Sequence, residues 1–310
     1  MENTLQEGES SQADAASKIA FVHHKGGTGK TTSCLNIAGF CHQMGRKVLV
    51  VDCDPQANAT AGLGIDPSAN GKNMYDVFMS GIDDFPRVRL EDVVRKTASG
   101  IDLAPSHLDL VGAEPYLYYE AFPSGVLNEA LTFIKARYSY IFIDTPPSLG
   151  QFVINGLYAA DHVIVTLDSG SFALNGITTL STIFDDIKND MGKEIRPDMA
   201  IITRWGEGSC RVPEKEERND FFSRLLNIFH KPPEPSSEDL KTAEEWKHEQ
   251  ERLHGILEEV RKKFPSVYTV PYSPAVYEAQ KRGMPISHFA PDSSAGVVYK
   301  AIADEVMKWT

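Results

Sequence analysis

The run Lys25-Gly26-Gly27-Thr28-Gly29-Lys30-Thr31-Thr32 has the residue types and order of a phosphate cradle. Its three glycines let successive backbone N–H groups curl around an anion without Cβ clashes. A helix opening at the end of such a loop adds the partial positive charge of its N-terminus. In that geometry Lys30 neutralises β- and γ-phosphate oxygens, and the Thr31 hydroxyl ligates Mg²⁺. A glycine-rich turn that merely caps a helix is the alternative. The strand before, the helix after and the GKTT ending favour the cradle. The loop departs from the ordinary phosphate-binding pattern: His24 stands where the first glycine would be, and Lys25 is an additional lysine. Three carboxylates stand beside turn-forming residues further on: Asp52 and Asp54 in VVDCDPQANATAGLG, and Asp144 in IDTPPSLG.

The elements that must position these groups alternate. IAFVHH, from Ile19, is a short apolar run ahead of the loop. A helical pattern then carries Leu35, Ile37, Ala38 and Met44 and closes at Gly45. KVLVVD (47–52) follows as a strand with almost no polar face, which completes a βαβ unit. Similar runs recur at YIFID (140–144), HVIVTL (162–167), MAIIT (199–203) and VYTV (267–270), with helical stretches at 125–136 and 174–188 between them. Continuously apolar strands alternating with helices predict an α/β fold, a mostly parallel sheet covered on both faces. Such sheets place their chemistry at the carboxyl ends of the strands, where Asp52, Asp54 and Asp144 fall. Asp144 could instead cap a helix, but Pro146-Pro147 argues against an immediate one.

The chain has 310 residues, a formal net charge of −12, 42% hydrophobic and 24% charged residues. That composition excludes a wholly disordered chain and gives no global attraction for polyanions. The four cysteines (Cys34, Cys41, Cys53, Cys210) have no CxxC or CxC spacing and fit reduced, cytosolic thiols. No apolar run is long enough to span a bilayer, so no membrane is expected. Residues 1–17 read as a disordered lead-in without the pattern of a signal peptide, and 18–310 as one domain. Within it, 205–264 reads as an insertion: a Pro-, Glu- and Ser-rich loop, then a charged helix at 240–263. That helix reads as a solvated face with i,i+4 pairs such as Glu259–Lys263, a partner-binding surface being the alternative.

Three ordered motifs, KGGTGKTT, VVDCDPQANATAGLG and IDTPPSLG, together resemble the deviant-Walker ATPases of the ParA/MinD family. The closing stretch, YSPAVYEAQKRGMPISHFAPDSSAGVVYKAIADEV, is similar to that family's C-terminal pattern. The resemblance implies a doubly wound P-loop sheet of about seven or eight strands. It implies ATP as substrate with Mg²⁺, and a nucleotide-sandwich homodimer in which Lys25 reaches the partner's nucleotide. Asp54 then orients the attacking water, Asn58 lies near the dimer-facing phosphate and Asp144 holds Mg²⁺ through water. Thr145, Pro146 and Pro147 form a γ-phosphate-sensing loop, and Pro271 and Tyr272 hold the adenine. Tyr272 has a second reading as core. Asp52 reads equally as a loop-fixing acceptor or a metal group.

Where family members that bind DNA non-specifically often carry an arginine pair after the last strand, this chain has Pro271-Tyr272-Ser273-Pro274. Non-specific DNA binding is therefore expected to be weakened, with Arg204, Lys281, Arg282 and Arg261-Lys262-Lys263 as the remaining candidates. His23 and His24 read as polar residues capping the strand end. The resemblance implies a partition or positioning ATPase with slow turnover, raised by an unidentified partner protein. Three alternatives belong to the same class. A MinD-like membrane switch needs a basic amphipathic tail, where this chain ends IADEVMKWT. A metal-insertion ATPase needs paired cysteines, whereas Cys34 and Cys41 read as buried small hydrophobes. An ATP-binding regulator with negligible turnover conflicts with the presence of Lys25, Lys30, Asp54 and Asp144 together.

Overall fold

A computed structural model describes residues 16–119, 123–169, 173–205, 248 and 251–309. Its strands are β1 (Ser17–Val22), β2 (Val48–Asp52), β3 (Arg95–Lys96), β4 (Asp102–Ala104), β5 (Tyr140–Asp144), β6 (His162–Asp168), β7 (Met199–Trp205) and β8 (Ser266–Pro271). They form one eight-stranded sheet in the order β3-β4-β2-β5-β1-β6-β7-β8, parallel throughout except for the β3–β4 pair. Every residue of β2 and β5 is buried, as a central strand covered on both faces requires.

Two apolar layers hold the helices to the sheet. On one face, α1 (Lys30–Gln43) buries Leu35, Ile37 and Phe40 with Phe21, Phe142 and Tyr299 of α11 (Ser294–Val306). On the other, α3 (Met74–Phe78), α5 (Val126–Thr132), α6 (Gln151–Ala159) and α7 (Ala173–Met191) pack over the alternate residues of the same strands, with the helix at 251–261, α8. Full burial of each Leu, Ile or Phe contributes about 1.5–3 kcal/mol, so these layers and not the surface ion pairs hold the fold. The remaining short helices are α2 (Asn58–Gly62), α4 (Glu114–Leu117), α9 (Pro274–Lys281) and α10 (Ile286–Phe289).

The sheet order positions the site. The chain leaves β1, runs through α1 and returns as β2 beyond β5, so β1 lies between β5 and β6. In register, Phe21 stands opposite Asp144, and Asp144 opposite Asp52. The phosphate loop and both acidic turns therefore leave the sheet at one edge.

Most of the 205–264 insertion and the 1–15 part of the lead-in lie outside the described residues. In α8 the acids pair at i,i+3, Glu258 with Arg261 and Glu259 with Lys262, in place of the expected Glu259–Lys263.

Candidate nucleotide site

Gly29, at φ +85°, turns the loop into α1 in a left-handed conformation that glycine adopts without strain. A Cβ there would lie 2.7 Å from Thr203 Cγ2, and Thr203 Oγ1 donates to the Thr28 carbonyl at 3.0 Å. The loop is thus clamped from β7. The Thr28 hydroxyl faces the interior, 3.0 Å from Thr166 Oγ1, so only its backbone is available to a ligand.

Above the loop lies a cavity of about 450 Å³ lined by Gly26, Gly27, Gly29, Lys30, Thr31, Thr32, Asp54, Asn58 and Pro147, among others. A second cavity of about 230 Å³ adjoins it, sharing Gly27, Gly29, Thr32 and Gln280, and reaches Pro271 and Tyr272. Tyr272 is 42% exposed and therefore not core. The phosphate and base expectations thus fall in one continuous groove of nucleotide size.

Lys30 is 6% exposed and its Nζ donates to the Lys25 carbonyl at 3.3 Å. Burial pushes its pKa down, opposed by the charges of Asp144 and Asp54. The Thr31 hydroxyl donates to Asp144 Oδ2 at 2.7 Å. Asp144 Oδ1 is buried and has no hydrogen-bond partner among the described residues. Burial, then the nearby Asp52, raises the pKa of Asp144 well above the carboxylate range. A buried acid of that kind with an orphaned oxygen beside a hydroxyl suits a hard divalent cation with oxygen ligands. Among the described residues, no three His, Cys, Asp or Glu side chains cluster to hold a metal by themselves.

The two readings of Asp52 are separated by its hydrogen bonds. Oδ1 accepts from the Asp54 N–H at 3.1 Å, and Oδ2 from the N–H and hydroxyl of Thr60 at 2.8 and 2.7 Å. Both oxygens are committed to the turn, so Asp52 fixes the loop. Burial nevertheless lifts its pKa to about 7. Asp54 carries less of that duty: among the described residues one donor, the Gln56 N–H, reaches its Oδ1, at 2.9 Å, and the carboxyl faces the cavity with its pKa raised by burial. Asn58 stands exposed at the mouth.

Lys25 turns away from the cavity. Its ammonium is ion-paired with Asp168 at the end of β6, with the side chain 46% exposed. His23 Nδ1 accepts the Lys25 N–H at 3.0 Å, so the strand-capping reading of His23 holds. Burial, then the charges of His24 and Lys30, pushes the His23 pKa down to about 4. The native state then binds fewer protons than the unfolded chain between pH 6.5 and 4. The His23 contribution to stability is complete above pH 6.5 and is lost as pH falls through about 4. Urea unfolding should lose roughly 2–3 kcal/mol across that window from this residue. His23→Asn should flatten the slope; an unchanged slope would show that other groups set it.

Thr145 gives its hydroxyl to the Phe21 carbonyl at 2.6 Å, so of the proposed sensing loop Pro147 lines the cavity and the Thr145 side chain does not. Cys34, Cys41 and Cys53 are buried and unpaired, and burial raises all three thiol pKa values. Sequence reasoning missed Asp168, Thr203 and Gln280, whose Nε2 donates to Thr32 Oγ1 at 2.9 Å. Gln280 lay in the C-terminal stretch that carried the resemblance, but its contact with a residue 248 positions earlier has no sequence signature.

Residues 16–197 match the AAA domain family. The sporulation initiation inhibitor protein Soj of Bacillus subtilis is 29% identical over 93% of this chain and 97% of its own length. The chromosome partitioning protein ParA of Caulobacter vibrioides is 34% identical over 60% of this chain and 69% of its own. Among solved structures, McdA from Cyanothece, as a variant in complex with ATP, superposes with a TM-score of 0.69 at 20% identity, over 95% of this chain and 97% of that one. The septum site-determining protein MinD of Pyrococcus horikoshii, complexed with Mg-ADP, superposes with a TM-score of 0.63 at 22% identity, over 95% and 97%. The chain belongs to the ParA/MinD family of P-loop ATPases.

Proposed function

We propose that this chain binds ATP with Mg²⁺, closes on a second copy as a nucleotide sandwich and hydrolyses ATP slowly. The cycle would partition or position DNA or another cargo, and a partner protein would accelerate it. The observation that carries this reading is the buried Asp144, whose Oδ1 is orphaned while its Oδ2 accepts from the hydroxyl of Thr31, a residue that lines the glycine-rich cavity. Thr31 and Asp144 would hold the Mg²⁺, which supplies positive charge against the phosphate oxygens. Lys30 neutralises the same oxygens from the loop. Asp54, at the cavity wall with a raised pKa, orients the attacking water. The base rests against Pro271 and Tyr272, and Asn58 marks the face that meets the second copy.

Lys25 would be the group exchanged between copies, as in the deviant form of the loop. Its partly exposed side chain and its Asp168 partner outside the cavity support a lysine that can leave its own site. Such a charge acts on the other copy's phosphates as an arginine finger does. DNA, if it is the cargo surface, is bound weakly. Lys281 lies beside Glu278 and over the Tyr277 ring, Arg282 over Phe289, and Arg204 donates to the Gly27 carbonyl at 3.1 Å. Three buried, unpaired thiols support a reducing, cytoplasmic setting. No helix among the described residues is long and apolar enough to cross a membrane.

The reading is tested by calorimetry with ATP in Mg²⁺ and in EDTA, alongside phosphate release. Affinity should drop at least tenfold or so in EDTA, and turnover without a partner should stay below about 1 per second. Equal affinity in both buffers would sink it.

A further inference from the structure

The loop after Asp144 is held at both ends. Thr145 Oγ1 donates to the Phe21 carbonyl at one end. At the other, Glu114 reaches out of α4, and its Oε1 accepts the N–H of Gln151, the first residue of α6, at 3.0 Å. A carboxylate on a helix N-terminal N–H is a charge-assisted hydrogen bond, aligned with the helix dipole.

Gly150 fits this contact closely. Its backbone, at φ −85° and ψ −170°, is extended and open to any residue. A Cβ there would nevertheless stand 1.9 Å from Glu114 Oε1. Glycine at 150 thus leaves room for the carboxylate, not for an unusual backbone. Between the two anchors Pro147 lines the nucleotide cavity, its Cβ 3.9 Å from where a Cβ on Gly26 would be. Glu114 itself does not line the cavity.

We infer that Glu114 is a positioning residue for hydrolysis. From outside the cavity it holds residues 146–150 so that Pro147 stays against the phosphate loop. The inference rests on the ATPase reading of the same site. It adds a residue that touches neither nucleotide nor metal, and whose loss affects turnover more than binding. On this view, the cradle of Lys30 and residues 26–32 keeps its affinity without Glu114, because the β1–α1 connection is clamped independently by Thr203.

Three single variants and one double variant test it by turnover kinetics with ATP and by nucleotide affinity. Glu114→Ala should lose roughly tenfold or more in kcat while the Kd for ATP moves less than about threefold. Glu114→Gln keeps an acceptor oxygen and should retain at least about a third of the parental kcat. Gly150→Ala need displace only the flexible end of Glu114. It should fold, match Glu114→Ala, and add nothing in the double variant, as residues acting through one contact do. Parental kcat in Glu114→Ala, a loss of affinity in step with kcat, or additive losses in the double variant would each overturn the role of Glu114 and leave the ATPase reading standing. A parent chain with no turnover at all would remove both.

Discussion

Lys30→Ala should bind ATP at least a hundredfold more weakly than the parent chain, and on most assays not detectably. The ammonium is 6% exposed at the floor of the cavity, where burial already disfavours its charge and Asp144 and Asp54 restore it. Removing it takes away the charge-assisted contact to the phosphates and leaves the Asp54 carboxyl facing the incoming anion without the ammonium beside it. Loss of one such contact costs about 1.5–3 kcal/mol, and the added repulsion carries the total past a hundredfold in Kd. A fluorescent ATP analogue titrated in Mg²⁺ reads this directly. Affinity within threefold of the parent would mean that the phosphates lie elsewhere. Melting temperature is to be read alongside, because Lys30 also gives the fold a hydrogen bond to a loop carbonyl and a charge beside Asp144 and Asp54.

Asp54→Ala should separate binding from turnover. Its carboxyl faces the cavity, and Asp52 holds the turn through both oxygens against the single Gln56 N–H that Asp54 accepts, so the loop survives the substitution. Water positioning and proton acceptance are lost, which costs roughly 10²–10⁴-fold in rate. With the cradle intact, ATP then stays bound and the sandwich accumulates. Size-exclusion chromatography with light scattering should give twice the monomer mass in ATP and the monomer mass in ADP. A variant that hydrolyses at the parental rate, or stays monomeric in ATP, removes Asp54 from the mechanism.

The phosphate loop and the central strands were legible because each carries a local pattern. KGGTGKTT has its glycines in order, and VLVVD and YIFID are apolar throughout because both their faces are covered. The edge pair escaped notice for the opposite reason. Arg95–Lys96 is a two-residue charged strand, and Asp102–Ala104 is three residues long, so neither shows a period. They pair through a turn in which Thr97 N–H donates to the Ile101 carbonyl and Gly100 takes φ +81°. The stretch read as one helix over 125–136 divides into α5 and a single 3₁₀ turn at Lys135–Arg137. Within the site, side-chain identities were readable and their partners were not. That Asp52 is spent on Thr60, that Lys25 rests on Asp168 and that Thr203 closes over Gly29 are all products of the sheet order. No spacing in the chain encodes them. The aligned motifs of a family pointed to Lys25, Asp54 and Asp144 by analogy; the register of β2 and β5 gives the physical reason the two acidic turns lie side by side, whereas Lys25 turns to Asp168.

In the proposed sandwich, the Lys25–Asp168 ion pair would set an exchange rule for assembly. Each copy entering a sandwich gives up this contact, and the loss is recovered only if the facing copy carries a phosphate. A doubly loaded pair makes two even trades. A half-loaded pair makes one and leaves the other lysine with neither carboxylate nor phosphate. Assembly of that kind would count nucleotides in twos, its extent rising with the square of the loaded fraction. A small fall in occupancy then dissolves a disproportionate share of the dimers.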